Sequence, residues 1–458
     1  MVDSPIRSDV SMLKVPKSGR LASLDQFRGY TVLGMIVVNF LGSFHVVHSV
    51  FKHNDTYFSF ADSIMPAFHF AVGFSFRLTM LRRLAEFGFI KTWTGYLRRS
   101  FALVFVAVLF FGVGGQFREW RQFSEYPKTG LLAADAASSV SSSETTVSRD
   151  GDTHAFRATF CAQWRAYFAH LLKSRMWNTF AIIGVTQIVV LPFVACSLRV
   201  RLLAMLMFGL AHAALTEWFN WGFIRGDATN WMVKLWGTGA DVSWDGGFFG
   251  PLCWAVVMLG GTVACDIVCA TGRSGRAVRR LLWTGCALMV IAWSLSCLTR
   301  MYDVEYGPAV SQQLPGTAAS PVIPSFSSLR IRHPRTLLAE LPFVAPPPES
   351  VRLQNYWMMS KQIPTLPFIL SATGFSFLVC SFFVLVCDAG GYTLPVFRTF
   401  GTNPLAAYCI HSAIGDQLGS LMPGDAPLWY VLIGLMCFIL STWSCVRFLE
   451  RSHIFIRL

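Results

Sequence analysis

Residues 20–80 read RLASLDQFRGYTVLGMIVVNFLGSFHVVHSVFKHNDTYFSFADSIMPAFHFAVGFSFRLTM. Two apolar runs flank a short His-rich loop, and Asp25, Arg28, Asn39, Asp62 and His69 lie within those runs or at their ends. A charge at the centre of a membrane helix costs about 2.5–3.5 kcal/mol on insertion scales, so such residues usually face a polar interior and mark chemistry or transport.

The rest of the chain supports a membrane setting. Of its 458 residues 53% are hydrophobic and only 14% charged, with 40 Phe and 15 Trp, which is too apolar for a soluble domain. The net charge of +13 sits in short clusters between apolar runs, the pattern that orients membrane helices, so no nucleic-acid partner is implied. None of the 12 cysteines shows C-x-x-C spacing, and packing thiols are expected, with no disulfide framework and no metal site.

A spanning helix needs about 20 mostly apolar residues. Segments that qualify lie near 27–46, 60–81, 98–115, 178–197, 201–218, 247–269, 281–298, 363–387, 399–419 and 427–447. The expected fold is all-α, a polytopic membrane bundle of about ten helices. Lys14, Lys17 and Arg20 before the first segment, Arg82, Arg83, Lys91, Arg98 and Arg99 after the second, and Arg273, Arg276, Arg279 and Arg280 after the sixth all fall on one side. Both termini are therefore expected in the cytoplasm. Residues 1–19 read as a polar tail ahead of an uncleaved signal anchor, and 20–458 as one transmembrane domain with outer loops near 116–177, 219–246 and 299–362. Within those loops, 119–153 is Ser-rich and reads as flexible. Residues 156–175 have the spacing of an interfacial amphipathic helix, and 303–356, rich in Pro and Ser, reads as an outer loop screening a substrate site. No internal repeat is evident, which weighs against an inverted-repeat transporter.

Several polar residues are candidates for chemistry. His53, in Phe51-Lys52-His53, is placed at the outer mouth, where an imidazole near its titration point can take a proton from an attacking amine or hydroxyl. By position alone a solvated loop histidine is the simpler reading, and His45 and His48 compete for the role. Asp62 can favour a helix N-terminus or orient an imidazole. Asn39 can donate to an oxyanion or bond a neighbouring helix. Asp25 and Arg28, three apart, share a helix face, where they pair with each other or Arg28 meets a phosphate. Further candidates are Gln187 in GVTQ, Asp245 in WDGGFFG and Lys361 in SKQIPTL. Asn403 and His411 lie about two turns apart in GTNPLAAYCIH, where a satisfied core histidine is the simpler reading.

In order, R-L-x-S-L-D-x-F-R-G, M-I-V-V-N, F-K-H and A-D-x-x-x-P-x-F-x-F-x-x-G resemble the heparan-alpha-glucosaminide N-acetyltransferase family and its bacterial relatives among the transmembrane acyltransferases. The later G-V-x-Q, D-x-x-G-x-x-G, S-K-x-x-x-T-L and G-x-N-x-L-x-x-Y-x-x-H stretches follow in the family's order, over nearly all the apolar segments. The resemblance implies transfer of acetyl from cytoplasmic acetyl-CoA, a co-substrate, to an amine or hydroxyl of a sugar or glycan acceptor on the far side of the lipid bilayer. It implies His53 as the catalytic residue, with Asn39 beside it, and it admits a homodimer.

The sequence departs from the family pattern after His53, where Asp55-Thr56-Tyr57 replaces Trp-Asn-Gly, and after Gln187, where Ile188 replaces Arg. His48 is the reserve for His53. On this reading His53 takes the acceptor proton, Asn39 stabilises the oxyanion and Asp62 completes the catalytic set. Arg28, Asp25, Gln187 and Lys361 serve the CoA side. A covalent acetyl-histidine relay is the rival sequence of steps. The alternative functions are a proton-coupled transporter and a catalytically degenerate envelope-assembly protein of the same fold. The expected location is a plasma (inner) membrane, or a lysosome-like membrane in a eukaryotic cell.

Overall fold

The computed structural model describes residues 21–109, 164–165, 167–227, 230–236, 242–272, 275–303, 320–324 and 337–456. The flexible segment expected at 119–153, the first part of the amphipathic one at 156–175 and much of 303–356 lie outside the described residues.

Among the described residues the fold is all-helical, with no strand and a single β-bridge joining Asp303 to Arg352. The principal helices are α1 (Ala22–Leu41), α2 (Phe60–Phe87), α3 (Phe89–Ala107), α4 (Thr179–Val194), α5 (Leu198–Leu215), α6 (Gly250–Thr271), α7 (Gly275–Ser296), α8 (Leu366–Phe383), α9 (Pro395–Thr402), α10 (Pro404–Gly419) and α11 (Leu428–Arg451). Polar side chains start several of them. Ser59 caps α2, Asn178 accepts from the Phe180 and Ala181 amides at α4, and Thr365 caps α8.

Six helical stretches among the described residues are long and apolar enough to cross a membrane: Phe60–Phe87, Leu198–Arg225, Gly247–Thr271, Gly275–Tyr302, Leu366–Ala389 and Leu428–Arg451. A seventh arises if Tyr167–Arg175 and Thr179–Val194, bent by 78°, form one span. The expected count of ten is thus reached only in part, for local reasons. Asp25, Gln26, Arg28 and Asn39 dilute the apolar run of α1, Lys91, Arg98 and Arg99 that of α3, and the ninth expected span divides at Asn403 into α9 and α10.

Helix α6 lies along α2, α9 along α1, and α7 along α8. Close approach needs small residues. A Cβ on Gly73 of α2 would strike the Met258 carbonyl of α6, and one on Gly261 of α6 would strike the Phe70 carbonyl of α2. The core around this pair contains Phe27, Phe70, Trp254, Phe368 and Phe377, all essentially inaccessible. Buried ionic contacts tie the helices at one end of the bundle. Arg77 of α2 and Arg201 of α5 both bind Asp266 of α6, and Arg77 also donates to the Val194 carbonyl at 2.6 Å. The turns bearing Arg82, Arg199 and Arg276 lie at this end, so the short basic loops gather together; we call it the basic end.

Candidate functional site

The loop before α2 builds a histidine–carboxylate pair. Ser59 starts the helix, and its Oγ accepts from the Asp62 amide at 3.1 Å. The Asp62 carboxylate, fully buried, is held by three neighbours: Ser59 Oγ at 2.6 Å, the Asn54 amide at 3.1 Å and His53 Nδ1 at 2.8 Å. Facing a carboxylate, Nδ1 carries the proton and Nε2 bears the lone pair of a base. The His53 side chain is 42% exposed, so that base opens to the bundle surface. Asn54 stiffens the loop by donating to the Ser49 and Lys52 carbonyls at 2.9 and 2.7 Å. Pro66, four residues beyond Asp62, supplies no amide to the Asp62 carbonyl, so the α-helical ladder is interrupted under the pair.

His48 does not compete for this place. Its Nδ1 accepts from the Val50 amide at 3.2 Å, capping a turn of its own loop. Asn39 is an exposed position of α1 between buried Val38 and Phe40, and its side chain makes no hydrogen bond among the described residues.

Two residues far away in sequence arrive at the same end. Asp245 sits immediately before α6 with φ 52°, in a turn continued by Gly246 and Gly247 at φ 85° and 55°. Lys361, just before α8, lies 3.6 Å from Asp245 Oδ1, and the Gly246 amide bonds the Gln362 carbonyl at 2.9 Å. Burial pushes the Asp245 carboxyl up, opposed by the charges of Lys361 and His53. Burial also raises Asp55, two residues beyond His53, with a further push from Asp62. Trp254 joins these groups to α2: its indole donates to the Asp245 carbonyl at 3.1 Å, and its ring stacks on His69 at 4.8 Å.

At the basic end a cavity of about 670 Å³ opens between α1, α2, α3, α4 and α10. Arg28, Arg82 and Arg99 supply cations to its wall, Asp25 and Gln187 polar groups, and Phe68, Val72 and Phe180 apolar surface. Arg28 lies 3.8 Å from Asp25, and Gln187 accepts from Ser100 at 3.1 Å. Three of the four residues assigned to the CoA side from sequence therefore share one cavity, whereas Lys361 stands at the opposite end of the bundle. The cavity reaches along α2 to Phe68, six residues and about 9 Å of helix from Asp62.

Asn403 and His411 stand apart from both places. Asn403 donates to the Ile454 carbonyl and accepts from the Ile456 amide, stapling the α9–α10 break to the segment after α11. His411 is buried against the rings of Tyr408 and Phe438. Sequence reasoning passed over Ser59, although S-x-x-D ahead of an apolar run is a helix-start signal. It grouped Arg82 and Arg99 with the basic inner loops that could meet CoA phosphates, without singling out either.

Residues 20–113 match the family model described as heparan-alpha-glucosaminide N-acetyltransferase, catalytic, so the resemblance carried by the opening motifs holds over that stretch. The match is about a fifth of the chain and contains His53, Asp62, Arg28, Arg82 and Arg99. No curated protein matches the chain.

Proposed function

We propose that the protein is a transmembrane acyltransferase that moves an acetyl group from cytoplasmic acetyl-CoA to an amine or hydroxyl of a sugar or glycan beyond the membrane. One observation carries this reading: α2 bears at one end the carboxylate that orients the His53 imidazole and lines an arginine-rimmed cavity at the other. A cavity of about 670 Å³ with cationic and apolar walls suits a phosphorylated nucleotide followed by an uncharged arm. Arg28, Arg82 and Arg99 would meet the phosphates, and the arm would run past Phe68 and Val72 towards the pair.

In the reaction His53 Nε2 accepts the proton of the acceptor as its nitrogen or oxygen bonds to the thioester carbon. The carbonyl electrons move to oxygen, and on collapse the carbon–sulfur bond breaks and the proton passes to the departing thiolate. Asp62 holds the imidazole tautomer and stabilises the imidazolium. The products are the acetylated acceptor and CoA.

The test is release of CoA by purified full-length protein with radiolabelled acetyl-CoA and a panel of amino sugars. Transfer is expected with at least one acceptor, and His53→Ala should reduce it by about 10²–10⁴-fold. Transfer that survives His53→Ala would overturn the assignment. Label retained on the protein when acceptor is omitted would select the acetyl-histidine relay over direct attack.

A further inference from the structure

The proposed reaction needs a group to receive negative charge on the thioester oxygen. Asn39, exposed and without a hydrogen bond, is not connected to the His53 pair by any contact. The Asp62 carboxylate is already engaged by three partners.

The surroundings of the pair contain a better-placed group. The starts of α2, α6 and α8 meet there through a chain of rings: Trp254 lies 6.3 Å from Phe368, and Phe368 lies 5.8 Å from Phe58, next to Ser59, while His69 further along α2 stacks on Trp254. Helix N-termini present positive potential to a common region. Lys361 enters this region from the loop capped by Thr365, its side chain 14% exposed. At 3.6 Å from Asp245 Oδ1 the ammonium forms an ion pair without a completed hydrogen bond, and it donates to no other acceptor among the described residues. Asp245 is itself 8% exposed with Oδ1 lacking any hydrogen-bond partner.

The pair is built on constrained backbone. Asp245 occupies the left-handed region, which an L residue other than glycine adopts uncommonly, and its carbonyl is fixed by Trp254. A Cβ on Gly250 would strike that same carbonyl, so the turn closes only over a glycine. Constraint of this kind is typical where a side chain must be aimed. An ammonium with uncommitted N–H groups, restrained by a carboxylate at slightly more than hydrogen-bond distance, is suited to accept an oxygen anion as it forms.

We propose that Lys361 is a catalytic residue that donates a hydrogen bond to the oxyanion of the tetrahedral intermediate, and that Asp245 is the positioning residue that holds its ammonium. The inference rests on the acyl-transfer reading. As the acceptor nitrogen or oxygen bonds to the thioester carbon and His53 takes the proton, the carbonyl electron pair moves to oxygen beside Lys361 Nζ. It returns when the carbon–sulfur bond breaks, and Lys361 ends unchanged.

The experiment compares full-length wild type, His53→Ala, Lys361→Met, Lys361→Arg and Asp245→Asn for kcat, KM and acetyl-CoA affinity, with thermal midpoints as the folding control. Lys361→Met should lower kcat by about 10²–10³-fold while acetyl-CoA affinity stays within twofold. Lys361→Arg should recover part of the loss, and Asp245→Asn should lower kcat by about tenfold without changing acetyl-CoA affinity. A Lys361→Met protein that keeps more than a third of wild-type kcat, or whose loss is fully explained by weaker acetyl-CoA binding, overturns the proposal. If that variant does not fold, Lys361→Gln is judged by the same criterion. Inactive wild type, or an active His53→Ala, defeats the acyl-transfer reading. An inactive His53→Ala beside an active Lys361→Met defeats only the role of Lys361.

Discussion

The two ends of α2 differ in how they hold polar groups. At the His53 end one buried carboxylate is saturated by a hydroxyl, an amide and an imidazole, and the groups are fixed to within hydrogen-bond distances. At the basic end the arginines stand around about 670 Å³ of open space, 3.8 Å being the separation of Arg28 from Asp25. Preorganised hydrogen bonds suit a group that must act at one atom, and cations spread on a wall suit an anion that must enter and leave. Under the proposed reaction a single helix serves two kinds of work about 30 Å apart, the rise from Asp62 to Arg82.

The largest effect that would sharpen this contrast is expected at Asp62. Asp62→Asn keeps the shape but removes the charge that selects the Nδ1–H tautomer, and transfer should fall by about 10³–10⁴-fold with acetyl-CoA binding unaltered. Weakened acetyl-CoA binding in that variant would mean that the two ends are not separate. The converse change is Arg82→Gln, which should raise KM for acetyl-CoA by about tenfold or more with kcat unchanged, as for loss of one charge-assisted hydrogen bond. A fall in kcat with constant KM would break the division of labour.

A smaller effect concerns the loop beside the pair. The Phe343 amide bonds the Phe58 carbonyl at 2.8 Å, and the loop is clasped by Arg352, which reaches Asp303 and Glu340 at 2.5 Å each. Burial alone would raise the Glu340 carboxyl, but hydrogen bonds and charge from Arg352, with Arg300, hold it below the ordinary glutamate range. Its contribution is therefore present above about pH 4.3, the unfolded value, and lost as the pH falls through the lower folded value. Protease nicking within 337–363 should rise at acid pH. In Glu340→Gln nicking should be raised at neutral pH and nearly insensitive to acid; wild-type nicking that does not depend on pH would contradict the clasp.

Much of this arrangement is legible in one dimension, for definable reasons. Helix class follows from long apolar runs, and Phe60–Phe87 and Leu366–Ala389 emerge close to where hydropathy puts them. The His53–Asp62 contact is nine residues long and was open to local reasoning, although whether Asp62 caps the helix or orients the imidazole was not. In the fold Ser59 takes the cap and leaves the carboxylate to the imidazole. Asp245 and Lys361, by contrast, meet across 116 residues, and no periodicity encodes which loops converge. The division of the ninth expected span at Asn403 was hidden because an amide bonded to the Ile454 and Ile456 backbone leaves no trace in local hydropathy. Arg82 and Arg99 carry two messages at once, since an orienting charge and a cavity charge look the same in a sequence.

An unbroken helix also measures. Because α2 continues as one helix from Phe60 to Phe87 across the single rung missing at Pro66, the spacing between its two workplaces is set by backbone rise and cannot stretch to meet a shorter cargo. Under the proposed reaction the protein is then a ruler for its donor. An acetyl thioester mounted on a truncated stem would anchor or react, but not both, and discrimination against small cellular thioesters would need no dedicated pocket.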